Sequence, residues 1–118
     1  MAKSTEPALL QGTLDLLVLH ALQRGSMHGY AIAQTIHLLS DNVLTVEEGS
    51  LYPALQRLLK AKLVTADWSV SASTNRRVRI YKITRAGLRH LEKEISSFDR
   101  MLEGMQMVLG LARRSANS

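Results

Sequence analysis

The last third of the chain carries an unbroken apolar repeat. Leu88, Leu91, Ile95, Phe98, Leu102, Met105 and Leu109 follow one another at steps of 3, 4, 3, 4, 3 and 4. That spacing sets all seven on one stripe of an α-helix. Thr84 stands in front of the stripe as an N-cap, and Ala112 continues it. A helix over 85–112 reaches roughly 40 Å at ~1.5 Å per residue. The rest of a 118-residue chain builds a domain shorter than that. Such a helix cannot bury its whole stripe on its own domain, so a second copy of the chain is the simplest partner and the seven residues are the expected dimer seam. The other reading folds the helix back on the first helix. Glu92, Glu94 and Asp99 flank the stripe early, and Met101, Gln106 and Val108 flank it later, so it broadens toward its end. Residues 113–118 read as a frayed tail.

The remaining length suits one small domain. The chain has no cysteine, which excludes disulfides, thiol nucleophiles and cysteine zinc sites. The longest apolar run, Leu16 to Leu19, is far too short to span a bilayer, and no basic segment precedes an apolar one as in a secretory signal. A cytoplasmic protein with no membrane partner is expected.

Charge is unevenly spread. The formal net charge is +5, yet residues 1–56 are net acidic and residues 90–118 are balanced. Residues 57–89 hold nine cations (Arg57, Lys60, Lys62, Arg76, Arg77, Arg79, Lys82, Arg85 and Arg89) against Asp67 alone. A block of this kind suits a surface that meets a polyanion.

Residues 1–12 read as a polar lead. Thr13 sits where an N-cap would, with Asp15 in the first turn, and Leu14 to Leu22 is apolar on nearly all sides, as in a buried helix. Ser26 to Gly29 read as a connection. A second helix from His28 is marked by Ile32, Ile36 and Leu39. A third carries Leu51, Leu55, Leu58 and Leu59. Its start has two readings: a capping box of Thr45 and Glu48, or Ser50 as cap with Pro53 in the first turn. Val64 to Val70 and Arg76 to Thr84 are β-prone runs joined by the polar turn Ser71 to Asn75. Alternation sets Val78 and Ile80 on one face of the second run and Arg77, Arg79 and Tyr81 on the other.

Three helices, a hairpin and a long helix are the order of a winged helix-turn-helix. The expected fold is therefore mainly α with a small β-hairpin: a winged domain over 13–84 and a dimerisation helix over 85–112. The cations now fall on two elements that would meet one ligand, the third helix and the wing.

GTLDLLVLHAL, HGYAIAQTI, EGSLYPALQRLLKAKLV and RRVRIYKITRAGLRHLE resemble the PadR family of transcriptional regulators over about residues 9–110. The resemblance implies a bacterial or archaeal homodimeric repressor. It binds an inverted-repeat operator through the third helix and the wing, and dimerises through the C-terminal helix with help from the first. Some members respond to small aromatic or drug-like effectors, which makes such an effector a candidate partner. The chain departs from the family after the third helix. Where a glycine usually stands it has Lys62, which must then take up the turn itself, with positive φ as one outcome.

The candidate DNA contacts on the third helix are Ser50, Tyr52, Gln56, Arg57 and Lys60. Gln56 has the groups to pair with adenine, and Arg57 either reads guanine or holds a phosphate. Tyr52 reaches DNA or packs on the wing. Tyr30 resembles a family residue at the DNA backbone, with core packing as the alternative. On the wing the candidates are Asn75, Arg76, Arg77 and Arg79, with Arg79 free to pair instead with Asp67. Trp68 reads as a half-buried strand residue. His20, His28, His37 and His90 lack ligand spacing, so no metal is expected, and His28 fits better at the start of the second helix. No cofactor motif or nucleophile elbow is present, so an enzyme is not expected. The alternative function is a winged-helix module that binds protein rather than DNA.

Overall fold

The computed structural model describes residues 11–111. Helix α1 (Gln11–Gln23) is apolar almost all round, and the molecule is built about it. Leu14, Val18, Leu19 and Leu22 are buried in the core. At about 1.5–3 kcal/mol for each fully buried large aliphatic side chain, they anchor the domain. Thr13 lies inside this helix rather than capping it, and residues 11 and 12 are helical rather than part of a polar lead. Residues 1–10 lie outside the described residues, as do Ala112 and the tail.

A two-residue strand, β1 (Met27–His28), comes next, where only a connection is legible in the sequence. It is too short to show a pattern and is strand only because β3 pairs with it. Helix α2 (Gly29–Leu39) starts at once, with His28 as N-cap: its Nδ1 accepts from the Ala31 amide at 3.3 Å. Ile32 and Ile36 face the core.

Helix α3 (Glu48–Lys60) begins between the two expected starts. Glu47 precedes it and its carbonyl takes the amides of Ser50 and Leu51, with no side-chain cap. Neither Thr45 nor Ser50 caps it. Pro53 lies inside the helix. The donor it lacks would have met the Gly49 carbonyl, and Gly49 is exposed, where the cost of the missing bond is lowest. The helix closes through two amides: Lys62 donates to Leu59 and Leu63 to Leu58. Lys62 carries φ 63. This is the left-handed position usually filled by glycine, here taken by lysine as its place in the sequence requires.

Strands β2 (Val64–Val70) and β3 (Arg77–Ile83) form the wing, in register from Val64 opposite Ile83 to Val70 opposite Arg77. With β1 on the far side of β3 the sheet is three-stranded, antiparallel and ordered β1-β3-β2. The hairpin thus gains a strand beyond expectation.

Thr84 ties the wing to helix α4 (Arg85–Leu109). Its hydroxyl donates to the Lys62 carbonyl and accepts from the Gly87 amide, as an N-cap should. Gly87 is buried, and a Cβ there would overlap the Leu63 carbonyl oxygen. Helix α4 ends at Leu109, short of Ala112, with Gly110 in the left-handed region at φ 78. The heptad stripe divides along its length. Leu91 is 1% exposed and belongs to the domain core, and Phe98 is half-buried. Leu88, Ile95, Leu102, Met105 and Leu109 are exposed. Within the single chain, Leu91 therefore joins the core beside α1, while most of the stripe is left uncovered.

Candidate nucleic-acid interface

The wing stands away from α2 and α3 and leaves a cleft of about 910 Å³. Tyr30, Tyr52 and Gln56 line its helical wall, and Trp68, Arg76, Arg77 and Arg79 its wing wall. A second concavity of about 540 Å³ continues along α3 past Gln56, Arg57, Leu59 and Lys60, with Arg79 shared between the two. No carboxylate lines either.

The helical wall follows from close packing at one glycine. Tyr52 lies over Gly29, and a Cβ on Gly29 would meet the Tyr52 hydroxyl at 2.8 Å. A side chain at Gly29 would thus push aside the phenol of Tyr52, 23 positions later, whereas the Gly29 backbone itself makes no demand for glycine. Tyr52 remains 42% exposed. Partial burial, with Glu48 nearby, raises the pKa of its phenol, so it stays an O–H donor. It packs on Gly29 at the start of α2 and faces the same cleft as Tyr81 of the wing. Tyr30 is 66% exposed, which removes the core alternative, and its ring stacks parallel to His28 at 6.4 Å. Ser50, Gln56 and Lys60 are exposed on α3.

Arg57 is drawn away from this set. Its guanidinium holds Asp15 of α1 through Nη2 at 2.7 Å and Nε at 3.1 Å. This bond raises the Arg57 pKa further above its ordinary value. Asp15 is thus the partner of α3 and not a charge in the first turn of its own helix.

The wing wall departs from expectation at two residues. Asp67 stands opposite Ile80, on the other face of the sheet, so the expected pairing with Arg79 does not form. Arg79 stands opposite Trp68, and its guanidinium lies 5.9 Å from the Trp68 ring and 5.9 Å from that of Tyr81. Arg77 lies 4.7 Å from the same tryptophan. Trp68 is exposed rather than half-buried, and it lines the cleft although the sequence reading does not place it among the candidate contacts. The available signal was its register: counting back from the turn pairs it with Arg79. At the turn, Asn75 has φ 58 and its amide donates to the Ser71 carbonyl. This puts Arg77 at the start of the returning strand and leaves Arg76, expected in the strand, just before it in the turn, both exposed.

Residues 18–93 match the transcriptional regulator PadR-like family. The chain belongs to the PadR family. A PadR-family regulator from Eggerthella lenta is similar at 30% identity with a TM-score of 0.69, covering 84% of this chain and 83% of that one. A PadR-family regulator from Clostridium difficile is 25% identical with a TM-score of 0.69, over 81% of this chain and 97% of that one. A transcriptional regulator from Clostridium thermocellum shares the fold at a TM-score of 0.73 and 23% identity, over 82% and 90% of the two chains. Family membership makes this PadR chain a DNA-binding transcriptional regulator rather than an enzyme. It also weighs against the protein-binding alternative. No helix among the described residues is long and apolar enough to cross a membrane.

Proposed function

We propose that this PadR-family regulator is a cytoplasmic bacterial homodimer that represses transcription from an inverted-repeat operator. Residues 13–84 are the DNA-binding unit and residues 85–112 the dimerisation helix. The observation that carries the reading is the cleft with cations and aromatic rings on its walls and no carboxylate. Ser50, Tyr52, Gln56 and Lys60 enter the major groove on α3, while Tyr30 and the wing residues Asn75, Arg76, Arg77 and Arg79 hold the backbone beside it. Arg57 contributes by fixing α3 to α1. The bare half of the α4 stripe, with Ile95, Leu102, Met105 and Leu109, supports a second copy as its cover.

A small aromatic or drug-like effector releases the DNA by changing the angle between the paired α4 helices. Support comes from a concavity of about 280 Å³ between α1 and α4, lined by Leu16, Phe98 and Met101 among others.

DNA recovered with the protein tests the first reading. Two-fold symmetric sites with half-sites about one turn, ~10 bp, apart are expected. Affinity should fall steeply with salt, because the lysines and arginines that neutralise phosphates release counterions from the DNA. Recovered DNA without symmetry removes the dimer-on-operator reading, and transcription in vitro from the recovered site separates repression from activation.

A further inference from the structure

Trp68 is the sole tryptophan of the chain and its ring is 59% exposed. An indole left in water on a small domain calls for a reason, and its neighbours supply one. Paired residues on antiparallel strands share a face, so Trp68 and Val70 lie on the same side as Arg79 and Arg77. The Trp68 ring contacts both guanidiniums, and the Arg79 guanidinium contacts both Trp68 and Tyr81. Cation and ring therefore alternate along the wing, from Arg77 to the buried Tyr81. A stacked guanidinium is restricted to the plane of its donors, which leaves its N–H edge for an acceptor. Arg79 Nε is buried and has no hydrogen-bond partner among the described residues. Arg79 also lines both concavities, where the wing meets α3. A buried donor without an acceptor is unfavourable and is relieved when a ligand supplies one.

We propose that Trp68 is a positioning residue for recognition of the DNA backbone. It holds Arg77 and Arg79 with their donor edges set for phosphodiester oxygens, and Arg79 completes its hydrogen bonds when a phosphate sits between the wing and α3. The inference rests on the reading that this cleft receives DNA. A free arginine gives up rotamer freedom when it binds, and a stacked one has less to lose. Trp68 thus raises affinity through the two arginines. For exposed cation–ring pairs the joint effect is about tenfold in affinity.

The test uses the full chain and a short mixed-sequence DNA duplex at low salt, because phosphate contacts do not depend on sequence. Trp68→Ala is expected to weaken binding about tenfold, with the circular dichroism of the folded domain retained because the residue is exposed. Trp68→Phe restores most of the affinity, and Trp68→Leu, apolar but without a ring, does not. With Arg77→Ala and Arg79→Ala already present, Trp68→Ala has no further effect. Unchanged affinity in Trp68→Ala overturns the proposal. So does Leu performing as well as Phe, or an equal loss in the background without the arginines. Failure of the unmodified chain to bind duplex in a salt-sensitive way overturns the DNA reading of the cleft as well. Intact binding that ignores Trp68 overturns this inference alone.

Discussion

Arg57 on α3 grips Asp15 on α1 with two nitrogens on two oxygens, and this is the one ion pair among the described residues. The side chains are 33% and 23% exposed. Two-pronged geometry favours the pair and partial solvation weakens it, so its contribution is about 1 kcal/mol. Its effect is geometric as well, because it fixes the recognition helix to the helix at the centre of the core. In a double-mutant cycle of Asp15→Asn and Arg57→Ala, urea unfolding should give a coupling of about 1 kcal/mol. Additive losses would show that the pair does not act as a unit.

The same pair separates two cations that look alike in the sequence. Lys60→Ala should lower the slope of log affinity against log salt by about one unit, as one phosphate contact is lost. Arg57→Ala should leave the slope nearly unchanged and lower stability instead. Equal slope losses would mean that Arg57 leaves Asp15 to contact DNA.

Local chemistry carried most of the fold. Thr84 before the apolar stripe, Lys62 in place of a glycine and the polar turn at Ser71 to Asn75 each state a backbone requirement within a few residues, and the structure meets each one. What the sequence did not show depends on distance along the chain. Strand β1 exists through its pairing with Tyr81 and Ile80. Asp15 looked like a dipole charge because its partner lies 42 residues away. Trp68 reads as half-buried from the sequence because strand propensity does not say where a sheet leaves the domain. The division of the α4 stripe at Leu91 likewise depends on where α1 ends up. Of the candidate site, the two basic elements were legible, and the cation–ring contacts of the wing arginines were not.

Lys62 offers a stabilising change. A residue with a Cβ at φ 63 bears a strain of about 1–2 kcal/mol that glycine does not. Lys62→Gly should therefore raise stability by about 0.5–1 kcal/mol, after the entropy glycine adds to the unfolded chain is allowed for. Thermal melts measure it directly, and a drop in melting temperature would mean that the lysine side chain has a compensating contact.

Gly87 should tolerate no enlargement. Its Cβ would overlap backbone at Leu63 and crowd the Ile83 side chain at 2.7 Å. Because a carbonyl cannot swing aside as a side chain can, Gly87→Ala should cost about 3 kcal/mol or more. Gly104→Ala, with open space around it, should have the opposite sign, since alanine is favoured over glycine by up to about 1 kcal/mol inside a helix. Urea denaturation of the two variants side by side separates steric overlap from helix propensity.

The division of the α4 stripe predicts two kinds of failure. Leu91 is fully buried within its own chain, so Leu91→Ala should destabilise the fold by about 2–5 kcal/mol at any protein concentration. Leu102 and Met105 are exposed in the single chain. Leu102→Glu should therefore leave the domain folded, with its circular dichroism intact, while light scattering reports the mass of one chain instead of two. DNA affinity should fall with it, because one recognition helix cannot occupy both half-sites. If Leu102→Glu instead unfolded the chain, the bare half of α4 would be packed against its own domain, and the dimer would have to form elsewhere.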